Sequence, residues 1–186
     1  MSRGTPRRLA LSLAVLAALL GRGAQAAEKI SLEDKVRTAF LYNFTKYVRW
    51  PDSGAGGDFR ISVIGRSGVG AALEELSRSK QVDGRRIRVA VLDSAQDLGP
   101  AHILFIACSE RERLREILRK ARGKPILTVG GCAKMAEQGA AVNFVILEGK
   151  MRFEINRSAV ERAKLEMNSE LLKLAILVEE ENDAAP

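Results

Sequence analysis

Few residue types able to do chemistry occur in this chain of 186 residues: two cysteines, Cys108 and Cys132, and one histidine, His102. One histidine cannot supply a multi-histidine centre, and no His-Glu-x-x-His spacing is present, so no metal is expected. His102 reads as a structural residue at the edge of a strand. Gly65-Arg66-Ser67-Gly68-Val69-Gly70 has the outer glycine spacing of a phosphate-binding loop. Ala71-Ala72 follow where that loop needs Lys and then Ser or Thr, so the phosphate-binding cation and the magnesium ligand are both missing. Leu73 breaks the dinucleotide-binding glycine pattern, and Val69 breaks the nucleophile-elbow pattern around Ser67. A backbone anion cradle at the start of a helix is what survives. No catalytic residue and no cofactor are expected.

The elements that would position these residues follow from the hydrophobic pattern. Leu32, Val36, Phe40, Phe44 and Val48 recur every four residues, with Ala39 and Tyr47 beside them, and predict a helix over 32–49 that Pro51 stops. The Gly-rich stretch 52–58 predicts a loop. Short apolar runs at 59–64, 86–92, 103–106 and 125–129 alternate with helical stretches near 69–77, 110–121 and 133–138. Such alternation predicts parallel strands buried on both faces. The pattern then changes. Residues 142–147 and 151–156 flank Glu148-Gly149-Lys150 and predict an antiparallel hairpin. Helices are expected near 158–163 and 169–178. The fold class is therefore α/β: a mostly parallel sheet with flanking helices and a C-terminal hairpin, a single-domain sandwich. In a parallel sheet the loops after the strands share one edge, where ligands of open α/β sheets usually sit. Arg66, Ser67, Asp93 and Ser109 form a candidate ligand rim there, and an empty solvated rim is the alternative.

Composition narrows the class. The chain is 46% hydrophobic and 28% charged, which is ordinary globular composition. Its net charge is +7, but residues 1–26 hold four arginines and no acid. The remainder carries 26 basic and 23 acidic residues, so the excess does not point to nucleic acid. Residues 1–26 read as a signal peptide: a basic start, a 12-residue apolar run at 9–20, and Ala24-Gln25-Ala26 as cleavage site. An uncleaved anchor is the alternative. The domain is expected over 27–180 and a frayed tail over 181–186. An exported chain with two cysteines has one intramolecular pairing in an oxidising compartment. Cys108 and Cys132 each follow an apolar strand. If the strands are adjacent and parallel, about 4.8 Å apart, the thiols are within reach of a disulfide. Two buried free thiols are the alternative.

Taken in order, several segments resemble a known family. They include Tyr47-Val48-Arg49-Trp50-Pro51 closing the stretch from Val36, then Phe59-Arg60-Ile61-Ser62-Val63-Ile64-Gly65 and His102-Ile103-Leu104-Phe105-Ile106. Pro125-Ile126-Leu127-Thr128-Val129, Val142-Asn143-Phe144, Arg152-Phe153-Glu154-Ile155-Asn156 and Leu171-Leu172-Lys173-Leu174-Ala175 follow. This set resembles the YfiR family of periplasmic proteins over nearly all of residues 33–178. The resemblance implies a non-catalytic periplasmic α/β domain that represses an inner-membrane diguanylate cyclase by binding its periplasmic sensor domain. An outer-membrane lipoprotein that sequesters the repressor is a further implied partner, and cyclic-di-GMP and biofilm formation are the implied output. Many relatives carry Cys directly before the His-Ile-Leu-Phe-Ile strand. Ala101 stands there in this chain, so cysteine roles do not transfer.

Five of the nine aromatics lie between Phe40 and Trp50. Tyr, Trp and Arg dominate interface energetics, so Tyr42, Tyr47, Arg49 and Trp50 are the expected partner-binding residues; the competing reading puts them in the core. A second copy of the chain is another candidate partner. The alternative function is a periplasmic small-ligand-binding sensory protein of another signalling system.

Overall fold

The computed structural model describes residues 30–51 and 57–181. The expected signal peptide, its cleavage site and most of the Gly-rich loop and tail lie outside them. Ser31 starts the first helix: its Oγ accepts from Asp34 N–H at 3.0 Å, and Asp34 Oδ2 accepts from Ser31 N–H at 3.0 Å. This reciprocal cap satisfies two donors that the first turn leaves orphaned. The helix, α1, spans Leu32–Phe44 and not 32–49. Its buried stripe is Asp34, Thr38, Leu41 and Phe44, while Leu32 is exposed and Phe40 half-buried. A strict four-residue spacing drifts about 40° per step around a helix of 3.6 residues per turn, so the expected stripe could not stay on one face. Beyond Phe44 the chain turns. β1 (Val48–Arg49) then pairs antiparallel with Glu166–Met167.

β2 (Phe59–Ile64), α2 (Val69–Ser77), β3 (Gln81–Val82) and β4 (Arg85–Leu92) follow. Next come β5 (Ile103–Ile106), a 3-10 turn at Cys108–Arg113, α3 (Leu114–Ala121) and β6 (Leu127–Gly130). The chain closes with β7 (Val142–Leu147), β8 (Lys150–Asn156), α4 (Arg157–Arg162), β9 (Glu166–Met167), α5 (Ser169–Leu174) and β10 (Ile176–Val178). Eight strands form one sheet in the order β10-β8-β7-β6-β5-β2-β4-β3. β4, β2, β5, β6 and β7 run parallel, and the β7–β8 hairpin is antiparallel.

Two expected helices differ. Residues 133–138 form turns, with Lys134 at φ 70°. The last helix stops at Leu174, and Ile176–Val178 adds a strand parallel to β8. β-branched Ile176 and Val178 fit a pleated edge better than a helix.

Alternate residues of the central strands reach opposite faces, as the period of two requires. Ile61, Val63, Ile103 and Phe105 join one buried cluster with Leu41 and Phe44 of α1 and Leu73 of α2. Ile64, Leu104 and Ile106 join a second with Leu114 and Ile117 of α3. Trp50 belongs to the first cluster and is 5% exposed. Its ring meets Phe59 edge-on at 5.2 Å, and its Nε1 donates to the His102 carbonyl at 2.9 Å. Trp50 is thus a packing residue, and its expected direct contact with a partner does not fit this burial. Trp50→Ala is expected to cost about 3–5 kcal/mol, measured by urea denaturation; a loss under about 1 kcal/mol would show that the ring does not carry the packing.

Candidate functional site

At the edge of the sheet where the parallel strands end, neighbouring loops pack against one another. Gly65 sits at φ 90°, and a Cβ there would lie 2.6 Å from Ser109 Oγ and 2.6 Å from Glu110 Cγ. Only glycine fits this left-handed position against the next loop. Arg66 N–H donates to Ser109 Oγ at 2.8 Å, which fastens the two loops. Ser67 Oγ accepts from Val69 N–H at 3.3 Å, within its own turn. Asp93 is exposed at the end of β4. The structure brings Arg66 and Ser109 together, while Ser67 bonds within its own turn and Asp93 stands exposed after β4. At the start of α2, a Cβ on Gly68 would lie 2.7 Å from Asp34 Oδ2. The chain's own carboxylate faces the helix end where the anion cradle was expected, a favourable place for it.

Cys108 and Cys132 are joined by a disulfide at this edge, with Cα atoms 5.3 Å apart. Ile106 and Gly130 are register partners on the adjacent strands β5 and β6, which sets the separation. Arg37 of α1 reaches over and donates to the Gly131 carbonyl at 3.1 Å. Disulfide, loop contacts and Arg37 tie this edge together.

Of the expected partner-binding residues, Tyr42 is half-buried and donates its hydroxyl to the Gln81 carbonyl at 3.2 Å. Tyr47 and Arg49 stand outside. Tyr47 is 37% exposed, its carbonyl accepting from Asn168 N–H at 2.8 Å. Arg49 is 82% exposed and lies 3.8 Å from Glu166 across the β1–β9 ladder. The two-stranded ribbon holds these side chains at the surface, with Trp50 anchoring its end in the core.

The opposite edge, where β2, β4, β5 and β6 begin, was not singled out in the sequence. A cavity of about 580 Å³ opens there, and its wall includes Trp50, Arg60, Arg85, His102 and Lys124. His102 stacks on Phe59 at 4.4 Å. Its Nδ1 accepts from Arg60 N–H at 3.0 Å, and its Nε2 lies 3.1 Å from Arg85 Nη2. Burial, and then the Arg85 guanidinium, push its pKa down to about 4. Arg85 also donates to the carbonyls of Gly57 (2.9 Å) and Asp58 (3.0 Å). Asp58 is hydrogen-bonded by Arg88 at 2.8 Å, which, with nearby Arg86, holds its carboxyl below the usual range. The signal for this edge was present in the sequence: Arg60, Arg85 and Lys124 all stand at or just before strand starts. Parallel pairing brings strand starts to one edge.

No group of His, Cys, Asp and Glu side chains able to hold a metal occurs among the described residues, and none of their helices is long and apolar enough to cross a membrane.

Two measurements check these assignments. Breaking a cross-link that spans 24 residues, by Cys108→Ser with Cys132→Ser, is expected to lower stability by roughly 3 kcal/mol in the chain-entropy model. Denaturation with and without reductant reads the loss, and alkylation of both thiols in unreduced periplasmic protein would contradict the bond. For His102, an unfolded chain binds its proton near pH 6.5, whereas the folded one resists protonation down to about 4. Protonation therefore favours the unfolded state. The stabilising term is complete above pH 6.5 and lost as pH falls. Melting temperature is expected to drop from pH 6.5 to pH 5, and to drop less in His102→Gln.

A family model described as YfiR/HmsC-like matches residues 34–176. No curated protein matches the chain. Among solved structures, it is similar to an ABC domain in complex with L-Trp from Streptococcus pneumonia, at 10% identity and TM-score 0.54, over 78% of this chain and 60% of that one. It is also similar to a conserved domain protein from Vibrio cholerae O1 biovar eltor, at 14% identity and TM-score 0.51, over 77% and 59%. The chain thus spans about 60% of the length of either structure, and at these identities the likeness is one of α/β fold. The matched segment runs from α1 through the first residue of β10, the whole scaffold that carries the ribbon, the disulfide edge and the cationic cavity; the chain belongs to the YfiR/HmsC-like family.

Proposed function

We propose that this protein is a non-catalytic periplasmic regulator that represses an inner-membrane diguanylate cyclase by binding its periplasmic sensor domain, and so lowers cyclic-di-GMP and biofilm formation. Family membership over residues 34–176 carries this reading. Sequestration by an outer-membrane lipoprotein would relieve the repression. The ribbon of β1 and β9 is the surface we assign to the cyclase, because it exposes Tyr47 and Arg49 on a backbone fixed by Trp50. Tyr and Arg are the residue types whose truncation most often costs binding energy. The Arg49–Glu166 pair is solvated on both sides, so its loss costs the fold little.

Arg49→Glu is expected to weaken binding to the periplasmic domain of the cognate cyclase by about tenfold or more, or 1.4 kcal/mol, with the melting temperature unchanged. Calorimetric titration reads the first and a thermal scan the second. In cells, deletion of the gene should raise cyclic-di-GMP, and the variant should fail to restore the lower level. Absence of any complex between the wild-type protein and periplasmic cyclase domains from the same cell would overturn the reading.

A further inference from the structure

We propose that the cavity where the parallel strands begin is a binding site for a small organic acid, with a carboxylate oxygen accepting from both His102 Nε2 and the Arg85 guanidinium. Three observations meet there, and none depends on the cyclase reading.

The first is charge. Arg60, Arg85 and Lys124 line the cavity, and Asp58 is the one acid among its described wall residues. Asp58 is already engaged by Arg86 at 3.5 Å and Arg88 at 2.8 Å. Arg85 and Lys124 are hydrogen-bonded to carbonyls (Lys124 Nζ to the Leu98 oxygen at 3.3 Å), which hold the cations in place without cancelling their charge. A concave surface lined by one sign of charge focuses its field on an incoming ion of the other sign.

The second is a mismatch of hydrogen-bond roles. Arg60 N–H can only donate, so Nδ1 of His102 must accept. A neutral imidazole then carries its proton on Nε2. Arg85 Nη2, 3.1 Å from Nε2, is also only a donor. Two donors face one another, and neither accepts from the other. A carboxylate oxygen accepts from both at once, and charged acceptors make the stronger bonds with a guanidinium fork.

The third is shape. About 580 Å³ falls in the range of small-molecule pockets. Away from the cations the wall is apolar, with Leu98, Pro100, Pro125 and Ile126. A bare inorganic anion would leave that wall wet. A carboxylate on an apolar body uses both parts.

The chain has one histidine, so a single imidazole signal reports on the site. The full protein is titrated with benzoate, and in parallel with its neutral isostere benzamide and with inorganic phosphate, while the His102 ring cross-peak is followed by NMR. Benzoate is expected to move the peak saturably, and benzamide and phosphate to need at least about tenfold higher concentration. Arg85→Gln should abolish the response. Arg85 also holds the backbone at Gly57 and Asp58, so Arg60→Gln, at an exposed wall position, provides the second variant. It should weaken benzoate several-fold at unchanged melting temperature. No saturable shift with benzoate overturns the proposal. Benzamide or phosphate acting as strongly as benzoate overturns it too, as does wild-type benzoate affinity in Arg60→Gln.

Discussion

Strand β5 has no residue that water can reach: Ile103, Leu104, Phe105 and Ile106 are all buried. A strand in that position must have neighbours on both edges and apolar cover on both faces, because every unpaired buried N–H or C=O along it costs free energy. β2 and β6 supply the ladders. The clusters containing α1 and α2 on one face, and α3 on the other, supply the cover. Parallel neighbours require crossovers, and these carry α2 and α3, while α1 is supplied by the segment before the sheet. Polar chemistry is thereby driven to the two ends of the strands and to the ribbon outside the sheet.

The two ends are built differently. Where the strands finish, glycines let neighbouring loops touch, a disulfide joins the segments that follow β5 and β6, and Arg37 ties α1 to Gly131. Where they start, arginines and a lysine surround a cavity instead. Ligands of open α/β sheets usually sit beyond the strands' carboxyl ends. At this end Ser109, Glu110 and Asp34 fill the space beside Gly65 and Gly68.

Much of this was legible in the sequence. Central strands read well because both-face burial leaves continuous apolar runs, and the β7–β8 hairpin read well because Phe153 and Ile155 alternate with Arg152 and Glu154. The pairing of Cys108 with Cys132 followed from the compartment and the strand order. Other features depended on tertiary partners. Val48 continues the apolar spacing of α1, yet it leaves the helix because Met167 waits opposite it in β9. Ile176–Val178 follows a helix but finds β8 as a partner. The cationic edge was missed because its residues are far apart in the chain. Arg60, Arg85, His102 and Lys124 share nothing in sequence except their places at strand starts.

Trp50 links the exposed ribbon to this edge. Its backbone continues from Arg49, its indole donates to the carbonyl of His102, and its ring meets Phe59, on which the imidazole stacks. A change in β1 that moved the indole would have to break a hydrogen bond beside the cavity. A change in the imidazole that moved its backbone would have to disturb the anchor of β1. Packed cores shift between discrete arrangements and do not deform continuously. Trp50 directly follows β1 and its side chain lines the cavity, so a displacement of β1 transmitted through this residue would need a second packing of its indole. Trp50 thus ties the end of β1 to the carbonyl of His102 beside the cationic cavity.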